Sequence, residues 1–297
     1  MIVVTGGAGF IGSHLVDALA ENNEVTVIDN LSSGKKENIN TKAQFLEQDI
    51  RNDPALSGAE TVFHLAADPN VKTSAETPET TFDMNVKGTF SVLESCRKND
   101  VKHIVFASTS TVYGEASPPT SEDHPCRPIS NYGASKLAGE AFISSYCSTY
   151  GMKGTIMRFA NIFGERSNHG VMFDFYHKLK KNPEHMEILG DGKQDKSYLY
   201  VSDAVSAVLL AWQKTKSCDV FNVGSTETAN VDRIANLVAK NMGLSPSFAY
   251  TGTRQGWKGD VPAMLLDCSR LRSLGWNHGI SFEEGVERYI KWLSANY

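Results

Sequence analysis

The chain has no long apolar run and little clustered positive charge, and each shortage removes a class of function. No stretch approaches the ~20 apolar residues that a membrane-spanning helix needs, and none implies a membrane partner. The chain opens directly on a strand-like run, which leaves no room for a secretory leader, so a cytoplasmic protein is expected. Lys and Arg number 29 against 34 Asp and Glu, for a net charge of −5. Nucleic-acid surfaces need clustered cations, whereas the densest groups here, Lys178, Lys180 and Lys181 with Lys35 and Lys36 elsewhere, read as solvated faces. The five cysteines, Cys96, Cys126, Cys147, Cys218 and Cys268, are odd in number and widely spaced. Without Cys-x-x-Cys or zinc-knuckle spacing they imply neither a metal site nor a disulfide framework, only buried or incidental thiols. Repeats and low-complexity segments are absent as well.

What is present begins at residue 1. Met1 to Thr5 is a β-branched run that breaks into Gly6-Gly7-Ala8-Gly9-Phe10-Ile11-Gly12 and then a helical pattern from Ser13 to Leu19, and a second apolar run, Val25 to Ile28, ends at Asp29. Strand, glycine turn, helix, strand, acid is an order with a physical meaning. Glycines permit the sharp turn and let a pyrophosphate approach a helix N-terminus, whose free N–H groups and dipole favour an anion. Asp29 would accept hydrogen bonds from the adenosine ribose hydroxyls and repel a 2′-phosphate. The expected cofactor is therefore NAD rather than NADP.

Strand-like runs continue at Phe45-Leu46, Thr61 to Leu65, His103 to Ala107, Gly154 to Arg158 and Asp219 to Val223. Between them lie amphipathic stretches, including Thr80 to Lys98 with Phe82, Val86, Phe90 and Leu93 at helical spacing, Met172 to Lys181, and Ser202 to Trp212. Fully apolar strands alternating with helices mean an α/β fold, a Rossmann doubly wound parallel sheet covered on both faces. Ligands of such sheets bind at the carboxyl ends of the strands. The division expected is a cofactor domain over residues 1–165, to which the chain returns at about 198–224, and a smaller, discontinuous C-terminal α/β part for substrate over 166–197 and 225–297.

Tyr132 and Lys136 stand four apart in a segment that reads as a helix start, which puts phenol and ammonium on one face. A Lys charge about 5 Å from the phenol at an effective dielectric near 20 is worth roughly 3 kcal/mol, or about two pKa units. With a nicotinamide cation nearby, the spacing predicts a tyrosine able to act as a base near neutral pH. The hydroxyl cluster Ser108-Thr109-Ser110-Thr111, at a strand end, can supply a second hydrogen bond to the same substrate oxygen.

With these motifs the chain resembles the extended short-chain dehydrogenases/reductases, specifically nucleotide-sugar epimerases of the UDP-glucose 4-epimerase type. Matching segments are Thr5 to Gly12, Asp29-Asn30-Leu31-Ser32-Ser33-Gly34, Asp49-Ile50, His64-Leu65-Ala66-Ala67, Asn85 to Thr89, Tyr132 to Lys136, Arg158 to Gly164, Gly190-Asp191-Gly192, Tyr200 to Asp203 and Gly259 to Pro262. The resemblance implies a cofactor site made by Gly6, Gly9, Phe10, Ile11, Gly12, Asp29, Asn30, Ser32, Ser33 and Gly34. It adds Asp49 and Ile50 at the adenine, Leu65, Ala66 and Ala67 in close approach, and Asn85, Ser108, Tyr132, Lys136 and Phe159. By the same resemblance Lys136 would also hold the nicotinamide ribose. The catalytic set it implies is Thr109, Tyr132 and Lys136. For a UDP-sugar substrate it implies Thr109, Asn161, Val171, Lys196, Arg254 and Asp260.

The expected reaction is oxidation of the sugar at C4 by NAD+, rotation of the 4-keto sugar, and reduction on its other face. Related dehydratases place Asp and Glu directly after the catalytic Thr. Here Ser110 and Thr111 stand there, and neither hydroxyl serves readily as a base at neutral pH. The match departs at Lys196, which keeps a charge where Arg is common but lacks its bidentate fork, and around Arg254, where the spacing is unusual. Met264, at the position that sorts N-acetylated from plain sugars, is flexible and intermediate in volume. It leaves UDP-glucose/UDP-galactose and the UDP-N-acetylhexosamines open. A nucleotide-sugar reductase and a non-catalytic NAD-binding regulator would use the same cofactor motifs. The resemblance also implies a homodimer through a four-helix interface, for which Phe90, Leu93, Phe142 and Tyr146 are available, although the same stripes can serve as monomer core.

Overall fold

The computed structural model describes residues 1–252, 261 and 263–297. The alternation of short apolar runs and helices becomes one parallel sheet. Strands β1 (Ile2–Thr5), β2 (Val25–Asp29), β3 (Gln44–Glu47), β4 (Thr61–His64), β5 (His103–Thr109) and β6 (Lys153–Phe159) are laid down in turn. The chain then leaves through β7 (Asn161–Phe163), β8 (His185–Ile188) and β9 (Asp195–Tyr200), and returns as β10 (Cys218–Val223). The sheet order is β10-β6-β5-β4-β1-β2-β3, and every pairing in it is parallel. Order reverses between β1 and β4, the crevice where a doubly wound sheet binds its ligand.

Alternation along each strand sorts the core into two layers. Val4, Phe63, Val105 and Met157 face α1 (Phe10–Leu19), together with residues of a later helix over 201–214. Val3, Val62, Ile104, Phe106 and Ile156 face the opposite layer. That layer starts at α2 (Pro78–Thr81), runs through a π-helical stretch at Phe82–Lys87 into α3 (Gly88–Lys98), and includes α4 (Asn131–Tyr150). The predicted helix over 80–98 is thus continuous but carries one wide turn, and its faces shift there. Leu93 is fully buried and Tyr146 nearly so, whereas Phe82 and Phe90 are exposed. Of the four residues available for a helical interface, Leu93 and Tyr146 belong to the monomer core. Only Phe90 and Phe142, 43% and 37% exposed with ring centroids 5.7 Å apart, form an outward pair.

A second core joins α5 (Val171–Lys181), α6 (Val201–Lys214), which begins in this layer and ends in the first, α7 (Val231–Asn241) and the C-terminal helix over 282–296. They cover a small sheet in which β9 pairs with β7, with β11 (Thr228–Asn230) and with the short strand at 263–264. Residues 198–200 lie in this small sheet, so the return to the large one runs through α6 and β10. Among the described residues, no helix is long and apolar enough to cross a membrane, and no His, Cys, Asp and Glu group is arranged to hold a metal. All five cysteines are free. Cys147 and Cys218 nonetheless meet over Gly154, where an added Cβ would lie 2.7 Å and 3.2 Å from their sulfurs.

Candidate active site

The glycine turn after β1 is closed by backbone that tolerates no side chain. A Cβ on Gly12 would stand 2.1 Å from the Gly6 carbonyl oxygen, and one on Gly6, at φ +74°, would stand 2.6 Å from the Ala66 nitrogen. Gly9, which precedes α1, offers no side-chain cap, and the first turn of that helix carries no acid. The N–H groups at Phe10 and Ile11 therefore begin a helix whose positive end is left for an anion.

Asp29 closes the same turn from the next strand. Its carboxylate accepts from Ala8 N at 3.0 Å and Leu31 N at 2.8 Å, which ties the turn to the loop carrying Ser32 and Ser33. Gly34 completes that contact, because a Cβ there would come within 2.9 Å of Ala8 Cβ. Asn30 donates to Asp49 at 3.2 Å. The guanidinium of Arg51, 2.7 Å from Asp49, is the main reason its carboxyl is held down to about 2. Ile50 contributes no exposed side chain, being buried against Gly88.

Leu65, Ala66 and Ala67 follow β4 and are half-buried beside Gly6. Asn85 lies in the π-helical stretch, a feature frequent at functional sites. Its amide accepts from Asp68 N at 2.7 Å and donates to Ser135 Oγ at 3.0 Å, linking the loop after β4 to the start of α4. Ser130 caps α4 by accepting from Gly133 N.

Tyr132, Lys136 and Thr109 come together at the carboxyl end of β5. A hydrogen bond with Thr109 lowers the affinity of the Tyr132 phenol for its proton, but burial outweighs it and pushes the group up to about 12. Lys136 is 4% exposed, donates to Ala107 O at 2.8 Å and lies 4.8 Å from the Phe106 ring centre; burial lowers it to about 7. The spacing argument expected the ammonium to depress the phenol. Desolvation instead dominates for both groups.

Ser108 and Phe159 flank this point. Ser108 donates its hydroxyl hydrogen bond to the buried Glu140 carboxylate, and Phe159 is buried opposite Thr109 in the β5–β6 register. Glu140 and Arg158 pair at 2.6 Å, and no motif spacing links the two in the sequence. His64, which opens the segment leading to Ala66 and Ala67, is buried beneath the glycine turn.

Of the residues assigned to the substrate, Thr109 ends β5 of the large sheet, while Asn161 and Lys196 stand on the small one. Asn161 on β7 donates to Ser197 O at 3.1 Å, and Lys196 on β9 is in register with Met264. Val171 opens α5. Gln194, two residues after the Gly190-Asp191-Gly192 turn, is buried, and neither end of its amide is paired among the described residues. Arg254 and Asp260 lie outside the described residues.

This geometry has close counterparts. Residues 2–224 match the model of the NAD dependent epimerase/dehydratase family. The chain belongs to that family. A Methanocaldococcus jannaschii protein provisionally named a UDP-glucose 4-epimerase is 40% identical, with 100% of this chain and 99% of that protein aligned. The structure of UDP-glucose 4-epimerase from Thermotoga maritima with UDP-glucose superposes with a TM-score of 0.93 at 37% identity, covering 99% of each chain. That of the Thermus thermophilus enzyme with NAD gives 0.91 at 34%, covering 100% of this chain and 99% of the other. This family member is an NAD-dependent enzyme of the epimerase type, with the Rossmann-like sheet anticipated from its strands.

Proposed function

We propose that the enzyme inverts C4 of a UDP-hexose, interconverting UDP-galactose and UDP-glucose in the cytoplasm as a homodimer and so serving galactose metabolism. The observation that carries the reading is the meeting of Tyr132, Lys136 and Thr109 at the end of β5, followed by Ser110 and Thr111 instead of acids. Removal of water or carbon dioxide calls for further acid–base groups at those positions. Oxidation and re-reduction at one carbon do not.

In this reading Gly6, Gly9, Phe10, Ile11 and Gly12 receive the pyrophosphate, Asp29, Asn30, Ser32, Ser33 and Gly34 the adenosine ribose, and Asp49 and Ile50 the adenine. NAD+ held by these residues would supply the acceptor and donor of hydride for C4. Tyr132, as phenolate, removes the proton from the 4-hydroxyl and gives it back to the oxygen after the sugar has turned. Thr109 holds that oxygen beside the phenol, and Lys136 grips the nicotinamide ribose while its charge favours the phenolate. Asn161, Val171 and Lys196, with Arg254 and Asp260, bind the nucleotide sugar and leave its ring free to rotate.

The test is incubation of the purified protein with UDP-galactose and no added cofactor, beside a parallel reaction on UDP-N-acetylgalactosamine. Formation of UDP-glucose is expected, at a rate well above conversion of the N-acetyl sugar. No conversion of either substrate, even with added NAD+, overturns the assignment. Faster conversion of the N-acetyl sugar moves it to the UDP-N-acetylhexosamines.

A further inference from the structure

The last three residues of β5 each grip a different turn of α4. Thr109 bonds Tyr132, Ala107 O accepts from Lys136 at 2.8 Å, and Ser108 Oγ donates to Glu140. Positions 132, 136 and 140 share one helix face. The first two belong to the chemistry described above, whereas Glu140 lies one turn beyond it, 4% exposed. A buried carboxylate is costly unless it is paired and hydrogen-bonded. Arg158 on β6 supplies Nε at 3.0 Å and a terminal nitrogen at 2.6 Å, and its other terminal nitrogen reaches Tyr113 at 2.9 Å and Glu122 O at 3.1 Å. Tyr113 in turn donates to Asn222 on β10 at 2.7 Å. Glu140 thus anchors the reactive face of α4 to three parallel strands.

We propose that Glu140, fixed by Ser108 and Arg158, is a positioning residue that sets the register of Tyr132 and Lys136 on β5 and balances the charge around Lys136. The inference rests on the tyrosine–lysine chemistry of the preceding section. The charged and titratable groups facing the pair are Glu140 on their own helix, Arg158 from β6 behind it, His64 at the end of β4 and Asp68 in the loop after β4. His64 is buried and neutral, and Asp68 acts on the phenol. Glu140 is the partner whose charge favours the Lys136 ammonium against burial.

The experiment compares pH–rate profiles of the wild type, Glu140→Gln, Arg158→Met and the double variant. Loss of one negative charge shifts neighbouring ionisations to lower pH, so Glu140→Gln should move both limbs acidward by about one unit, roughly a tenfold rate loss on the alkaline flank. Arg158→Met should move them alkaline, and the double variant, which removes one charge of each sign, should return close to the wild-type position. A folded, NAD-retaining Glu140→Gln enzyme whose profile is lower but unshifted overturns the proposal. So does a double variant displaced as far as the single one. Where Glu140→Gln fails to fold, the direction of the Arg158→Met shift decides. Should the wild type convert no UDP-hexose, the functional reading fails separately. Phenolate absorbance near 295 nm in the NAD-bound proteins, measured against Tyr132→Phe counterparts, then reads the same acidward shift.

Discussion

The Thr5 hydroxyl and His64 Nδ1 lie 2.7 Å apart beneath the glycine turn, and the Thr89 hydroxyl meets the other ring nitrogen at 3.0 Å. The ring is fully buried, and burial, reinforced by the Lys136 charge, lowers its pKa to about 3. The fold therefore holds His64 neutral, while an unfolded chain protonates it near 6.5. Stability from this source is complete above about pH 6.5 and is lost as pH falls toward 3, amounting to about 3 kcal/mol by pH 4. Thermal melts between pH 7 and 4 should show this loss, and a folded His64→Asn protein should show a shallower one.

Gly12 and Gly9 differ in what surrounds them. The added Cβ meets backbone oxygen at 2.1 Å in the first case and 3.2 Å in the second. Gly12→Ala should abolish NAD binding or folding, whereas Gly9→Ala should weaken binding no more than about tenfold, near 1.4 kcal/mol. Calorimetric titration with NAD checks both.

Replacement of Asp29 removes one acceptor from two backbone N–H groups, on Ala8 and Leu31. Asp29→Ser should weaken NAD binding about ten- to hundredfold, by the cost of unpaired donors. NADP should lose less or even gain, since the repelling charge has gone. Dissociation constants for the two cofactors read the ratio; an unchanged preference would remove Asp29 from the discriminating role.

The outward pair Phe90 and Phe142 tests the proposed assembly. Phe90→Glu with Phe142→Glu should leave the monomer folded, because both rings are substantially exposed, and convert a dimer to monomers in light scattering. Leu93→Ala instead should destabilise each chain by about 2–5 kcal/mol, as a core cavity does. A wild type that is already monomeric refutes the interface.

Local features of this fold are legible in the sequence. The glycine turn, the acid at Asp29 and the helix-spaced Tyr132 and Lys136 each depend on neighbours within a few dozen residues, and pattern is enough to place them. Glu140 and Arg158 sit 18 positions apart and meet only because α4 packs across β5 and β6. Their pairing obeys no spacing rule. The π-helical stretch hides in the same way, since the widened turn at Phe82–Lys87 leaves the apolar pattern of the segment unchanged. Cys147 and Cys218, 71 positions apart, look like unrelated thiols in the sequence. Their contact over Gly154 lowers the Cys218 thiol through a hydrogen bond from Cys147. Cys218 should consequently be alkylated before the other four cysteines near pH 8, and Cys147→Ala should slow it.

The edge strand β10 pairs with β6 yet is reached only after the excursion through β7 to β9. During synthesis the cofactor half therefore waits. Its sheet cannot be completed until residue 223 has left the ribosome, by which time much of the small sheet has emerged as well. Neither half can be released early as a finished unit, and a polypeptide stopped at residue 165 would leave β6 as an exposed apolar margin, ready to pair with another nascent chain.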